Sequence, residues 1–96
     1  MTYYSMDDYK LIGFEKSKRK YKKYDALIKN KNTKKLIKIP FGDTRYQQYK
    51  DSTGLGLYTD LNHNDKQRRM RYITRHRRWV KDNYYSPSFF SMYYLW

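Results

Sequence analysis

Apolar and polar residues are ordered most clearly between residues 24 and 40. Two short apolar runs, residues 24–28 and 35–39, are separated by residues 29–34, which are Asn and Lys with one Thr. This pattern predicts two antiparallel strands joined by a turn, because Asn tolerates the left-handed backbone that such turns need. Pro40 is expected to end the second strand, since it lacks the N–H that a ladder requires.

A second apolar pattern has helical spacing and covers residues 65–82. The segment is rich in Arg, Lys and Gln, which favour helices, and it follows Asn62, Asn64 and Asp65, which are candidates for the N-cap. One half of the predicted helix is apolar or aromatic and holds Met70, Tyr72, Ile73, His76, Trp79 and Val80. The other half holds Arg68, Arg71, Arg75 and Arg78. An amphipathic helix with an arginine face is therefore predicted.

The C-terminal residues predict a second, shorter helix. Ser86 followed by Pro87 is typical of an N-cap and a first helical position, and half of the residues from Pro87 to Trp96 are aromatic. The predicted fold class is α+β, a small single domain with an N-terminal β-hairpin, a long Arg-faced amphipathic helix and a short aromatic C-terminal helix. We expect the apolar half of the long helix and the tail to form one side of the core and the hairpin the other.

Charged residues are distributed unevenly along the 96-residue chain. The net charge is +13, with 12 basic and 4 acidic residues in 1–40, 2 and 3 in 41–63, and 8 and 2 in 64–83. Cations as dense as those in residues 16–24 repel one another, which favours an extended chain. Residues 1–23 are therefore predicted to be a basic, flexible arm, and residues 24–96 the folded domain. Within the arm, residues 9–14 are apolar enough for either a strand or an anchoring segment.

Two basic blocks beside 13 tyrosines indicate a polyanionic partner. Lys and Arg bind phosphates with release of counterions, and aromatic rings offer faces on which bases stack. Nucleic acid is the expected partner, with DNA favoured over RNA, and acidic virion or capsid proteins are the alternative. A solvated helix face would explain the same arginines without any partner. The predicted nucleic-acid-binding residues are Lys16, Lys18, Arg19, Lys20, Lys22, Lys23, Arg68, Arg71, Arg75 and Arg78.

Other chemistry is weakly represented in the chain. It has no cysteine, so disulfides and thiolate metal sites are excluded. His63 and His76 invite a metal or nuclease hypothesis, but the simpler interpretation is a helix N-cap and an aromatic contact. Gly54 and Gly56 lack the Lys-Ser/Thr of a phosphate loop. No catalytic residue, metal or cofactor is predicted, and no apolar run approaches the roughly 20 residues that a membrane span needs.

Four segments of the chain resemble a family of small basic proteins encoded by nucleocytoplasmic large DNA viruses (giant viruses). The segments are FGDTRYQQYKD (41–51), LNHNDKQRR (61–69), YITRH (72–76) and the ending SPSFFSMYYLW (86–96). The ending is similar to the closing Ser-Pro/Ala…Ser…Leu-Trp of that family. The resemblance covers roughly residues 24–96. It implies a viral setting and carries over no catalytic or binding residues.

The expected function is binding of nucleic acid through its phosphates, without catalysis. Together with the resemblance, this predicts a virion-associated protein that helps to organise or package a genome, found in the virion and in the host cytoplasm or viral factory. The alternative is a minor capsid protein whose basic arm and aromatic tail bridge larger shell subunits. The tail discriminates between them, since only the first hypothesis expects it to be buried in its own domain.

Overall fold

Two antiparallel sheets and two helices make up the computed structural model, which describes residues 3–81 and 83–96. The elements in chain order are β1 (Tyr4–Ser5), β2 (Tyr9–Lys16), β3 (Tyr24–Asn30), β4 (Leu36–Phe41), α1 (Lys66–His76), β5 (Tyr84–Tyr85) and α2 (Pro87–Tyr94). The larger sheet has the order β2-β3-β4, and β1 pairs with β5. The fold is a small α+β domain, as predicted from the sequence.

The predicted hairpin is formed by β3 and β4. Ala26 lies opposite Ile39 in the ladder, and both side chains point to the buried face. The turn is held by the Asn30 side chain, whose Oδ1 accepts hydrogen bonds from the backbone N–H groups of Asn32 and Thr33 at 2.9 and 3.0 Å. The prediction that Pro40 ends the second strand is wrong, because the ladder continues to Phe41 and Pro40 lies inside β4. β4 is an edge strand of the sheet, and an edge strand tolerates a proline where no N–H is needed for the ladder.

Residues 9–16 form the third strand of the sheet rather than part of a separate arm. β2 pairs with β3 from Tyr9 to Lys16, with one irregularity between Leu11 and Gly13. Phe14 extends from this strand into the core, 5.7 Å from the Phe41 ring. Of the two alternatives for this segment, the strand is the one observed. The domain therefore begins before residue 24, because the core needs the apolar face of β2.

The core lies between the larger sheet and α2. The Phe90 ring of α2 lies 5.5 Å from that of Phe41, tilted, and 6.0 Å from that of Phe14, edge to face, and it stacks on Tyr85 at 5.5 Å. The buried apolar residues are Tyr24, Ala26, Ile28, Ile39, Phe41, Phe90 and Leu95. The predicted burial of the aromatic tail is thus observed in part: Phe90 and Leu95 are buried, whereas Tyr93 is exposed.

The long helix does not contribute to this core as expected. α1 continues as a 3₁₀ turn over Arg77–Trp79, and neither contains a buried residue. Met70 is 62% exposed and Trp79 is 48% exposed, so the prediction that the apolar half of the helix forms one side of the core is wrong. Both helices have an apolar face that could cover the sheet, and α2 occupies that position. α1 packs beside α2 through half-buried residues that include Tyr72 and His76.

The start of α2 agrees with its predicted cap. Ser86 is fully buried, its Oγ accepts a hydrogen bond from Phe89 N–H at 3.1 Å, and Pro87 is the first helical residue. We expect Ser86→Ala to lower the free energy of unfolding by about 1 kcal/mol, because a buried N–H at the helix start loses its acceptor. Urea denaturation measures this change. Ser52→Ala, at an exposed serine, is the control, and equal stabilities of the two variants would contradict the role of the cap.

Candidate nucleic-acid interface

A groove of about 660 Å³ opens between α1 and the loop that follows β4. Lys22 from the β2–β3 loop and Arg68 and Arg75 from α1 line it, and the buried Lys23 also forms part of its wall. The acidic side chain in its wall is that of Asp43, which forms an ion pair with Arg45 at 2.8 Å. The structure therefore brings together cations from both basic blocks of the sequence around one concave surface.

The arginines on α1 owe their placement to a well-capped helix start. The Asp65 carboxylate accepts hydrogen bonds from the N–H groups of Gln67 and Arg68. The residue at which the helix starts determines the direction in which each later side chain points around the helix axis. Arg68, Arg71 and Arg75 follow at helical spacing on one side of α1. They also line an adjoining groove of about 560 Å³, whose wall includes Met70 and Trp96. These three arginines form a ridge; Arg68 and Arg75 line both grooves, whereas Arg71 lines the second one alone.

Hydrogen bonds hold part of this ridge in place. Arg68 donates from Nη1 to Gln47 Oε1 at 2.8 Å, and Arg75 donates from Nε to the Arg71 carbonyl at 3.4 Å. Arg78 lies apart from the ridge, in the 3₁₀ turn, where its guanidinium is 4.9 Å from the Trp79 ring centroid. The predicted face of four arginines is therefore a group of three with one outlier.

The first basic block leads to the same groove. Lys16, at the end of β2, and Lys18, Arg19 and Lys20 in the loop after it are exposed. Lys22 is exposed and lines the groove. These cations lie on an ordered connection between β2 and β3, so their positions relative to α1 are fixed by the sheet.

Lys23 is a correction to the predicted set. Its side chain is 1% exposed, and Nζ donates to the Tyr46 carbonyl at 2.9 Å and to Gln48 Oε1. Gln48 in turn donates to Tyr58 O and Asn62 Oδ1 at 2.8 and 2.7 Å. Burial lowers the Lys23 pKa to about 8, against the opposing effect of nearby carboxylates. This ammonium holds the loops together and is not accessible to a phosphate.

Arg45 lies beside the groove, next to the lining residues Asp43 and Tyr46, and is absent from the predicted set. Its side chain donates from Nε and Nη2 to the two oxygens of Asp43 at 3.0 and 2.8 Å, and this pairing lowers the pKa of Asp43 to about 2. The guanidinium lies 4.3 Å from the Tyr21 ring centroid and 5.8 Å from that of Tyr46. The sequence signal was the Asp43-Thr44-Arg45 turn, in which i and i+2 side chains meet.

The two histidines have the structural roles that the simpler interpretation gave them. His63 Nδ1 accepts from Asp65 N–H at 2.9 Å just before α1, and burial lowers its pKa. His76 stacks on Tyr72 with ring centroids 4.0 Å apart. Among residues 3–81 and 83–96, no three His, Asp or Glu side chains are grouped as a metal site would require.

No helix in the described ranges is both long and apolar enough to cross a bilayer. Comparison of the chain with known protein families, curated proteins and solved structures found no match. The resemblance to the giant-virus family stays a prediction. The function must therefore be argued from the basic groove and its surroundings.

Proposed function

We propose that this protein is a non-enzymatic nucleic-acid-binding protein that contacts phosphates, with DNA favoured over RNA. The observation that carries the proposal is the convergence of Lys22, Arg68 and Arg75 on one groove. Arg is always charged and its planar fork matches phosphate oxygens. A groove lined by cations from two parts of the chain suits a ligand that carries repeated negative charge.

Acidic side chains of the protein neutralise little of the positive charge that lines the groove. Within residues 3–81 and 83–96, the ion pairs are Lys38–Glu15 and Arg45–Asp43. Neither involves the arginine ridge or Lys22. Because so few basic side chains are in ion pairs, the cations that give the net charge of +13 repel one another. Binding a polyanion relieves that repulsion and releases counterions from the polyanion, which supports phosphate as the ligand group.

The biological setting is proposed from the giant-virus resemblance. On this hypothesis the protein lies in the virion, and in the host cytoplasm or viral factory during infection, where it organises or packages the genome. Burial of Phe90 and Leu95 in the protein's own core supports this hypothesis over the alternative of a minor capsid protein with a bridging tail. Co-purification with shells that contain no genome would favour the capsid alternative.

The test is a DNA-binding titration across roughly 50–300 mM salt, which counts neutralised phosphates. We expect binding to persist near 150 mM in the wild-type protein. The triple variant Arg68→Gln, Arg71→Gln, Arg75→Gln should bind more weakly, with a log–log salt slope reduced by roughly 2–3, since each phosphate contributes about 0.9.

A charge-matched control separates the site from net charge alone. Lys10, Lys29 and Lys35 are exposed and lie toward the hairpin turn, at the opposite end of β3 from the groove. Their joint replacement by Gln removes the same charge and should leave most of the affinity and slope. Equal losses in the two triple variants would show that only net charge matters, and the proposed interface would be abandoned.

A further inference from the structure

Three exposed side chains form a cluster beside the groove, and Lys20 Nζ also lies 4.9 Å from the centroid of one of its rings, Tyr21. Tyr46 lines the groove and is 65% exposed, and Tyr21 is 44% exposed. The Arg45 guanidinium lies near both rings, 4.3 Å from the centroid of Tyr21 and 5.8 Å from that of Tyr46. We call this the Tyr21–Arg45–Tyr46 cluster. Other aromatic side chains, Trp79, Tyr84 and Tyr93, are also exposed, but only Tyr46 among the exposed aromatic residues that the structure describes lines the groove.

Hydrogen bonds hold two members of the cluster. Asp43 receives two side-chain hydrogen bonds and one backbone hydrogen bond from Arg45, which orient the guanidinium. Tyr21 adopts a left-handed backbone, φ +65°, and its carbonyl accepts a hydrogen bond from Thr44 N–H at 2.9 Å. A left-handed conformation is uncommon for a bulky residue, and such residues concentrate at functional sites.

Exposed rings beside the cations Lys22, Arg68 and Arg75 favour single-stranded nucleic acid as the ligand. Aromatic side chains along a basic groove are the usual means of binding single-stranded nucleic acid, since each base has a face to stack. In a duplex the bases are already stacked and paired, so exposed rings gain nothing from them. The groove volume of about 660 Å³ lies in the range that is typical of small-molecule sites, so a short part of a strand fits in it.

We propose that the Tyr21–Arg45–Tyr46 cluster stacks unpaired bases of a single-stranded nucleic acid whose phosphates lie along Lys22, Arg68 and Arg75. This inference rests on the proposed function and narrows its ligand from nucleic acid in general to single strands. Lys22 follows Tyr21 directly in the chain, and Tyr46 shares the groove wall with Lys22. Base contacts and phosphate contacts therefore fall within one surface.

The test compares three oligonucleotides of equal length at about 150 mM salt: single-stranded oligo-dT, an abasic strand with the same phosphates, and a duplex. We expect the wild-type protein to bind oligo-dT more tightly than either of the others. Tyr46→Ala should weaken binding of oligo-dT roughly tenfold, in the range known for loss of one stacked base, and leave binding of the abasic strand unchanged. Tyr46→Phe, which keeps the ring, should bind like the wild type.

The control is Tyr93→Ala, at a tyrosine that is 54% exposed on α2 and does not line the groove; it should not alter binding. Equal affinity for oligo-dT and the abasic strand, with the dependence on the arginine ridge retained, would overturn the stacking inference and leave the proposed function intact. Tighter binding of the duplex would also overturn it. Failure to bind any of the three near 150 mM would overturn both.

Discussion

Phe90→Ala is expected to lower the free energy of unfolding by about 3–5 kcal/mol, as is typical of buried Phe-to-Ala changes. Phe90 is fully buried, and its ring lies 5.5 Å from those of Phe41 and Tyr85. It is the main contribution of α2 to the sheet. A domain of 96 residues has a small core, and total stabilities are about 5–15 kcal/mol. The variant is therefore expected to be partly unfolded at room temperature.

Urea denaturation followed by far-UV circular dichroism measures this loss. Tyr93→Ala is the control on the same helix, because its side chain is exposed, and we expect it to change stability by less than about 1 kcal/mol. Similar stabilities for the two variants would mean that α2 does not cover the sheet as described. The arrangement of the whole core would then be in question.

Stability is expected to rise from about pH 8 to a maximum near pH 10 and to fall above it. Burial lowers the pKa of Lys23 from 10.5 to about 8 in the folded protein. Between these values the unfolded chain binds a proton that folded Lys23 has released, so raising the pH favours the folded state. At about 1.4 kcal/mol per pKa unit the full effect is about 3 kcal/mol.

The fall above pH 10 has the opposite sign and comes from the neighbouring residue. Burial and the hydrogen bond to Asp51 raise the pKa of Tyr24 from 10.0 to about 12. Between those values the folded protein keeps a proton that the unfolded chain loses, so raising the pH favours unfolding. Urea denaturation at intervals of half a pH unit from 7 to 11.5 measures both limbs.

Two variants assign the rising limb to one side chain. Lys23→Met removes the buried ammonium and should abolish the rise between pH 8 and 10. Lys22→Met removes an exposed charge from the adjacent position and should keep it. If the rise is unchanged in Lys23→Met, relief of general charge repulsion causes it. A Lys23 ¹³Cε resonance that titrates near pH 8 would be a direct check.

Local chemistry determined much of the fold from the sequence alone. The hairpin follows from two apolar runs around an Asn-rich turn, and the start of α1 from Asp65, whose carboxylate caps Gln67 and Arg68. The start of α2 follows from Ser86 and Pro87. The two caps depend on residues within four positions of one another, and the hairpin depends on one continuous segment of the chain, so a single sequence specifies them. Net charge and the absence of cysteine likewise depend on composition alone.

The tertiary structure decided which of several competing segments fills the core. α1 and α2 both have apolar faces, and the sheet has room for one of them; the ring of Phe90 fills that space and leaves Met70 and Trp79 exposed. The run of cations in residues 16–24 has no periodicity that distinguishes buried Lys23 from exposed Lys22. That distinction requires Gln48 and the Tyr46 carbonyl, more than 20 residues away.

The sequence likewise predicted part of the candidate site, and the tertiary structure decided the rest. The sequence identified the arginines of α1, because helical spacing places them on one side, and it identified the basic block before β3. Only the packing of the β2–β3 loop beside α1 brings Lys22, Arg68 and Arg75 to one groove and places Arg45 between Tyr21 and Tyr46. Periodicity and capping are short-range and can be inferred from the chain itself, whereas a groove exists only where distant segments pack together.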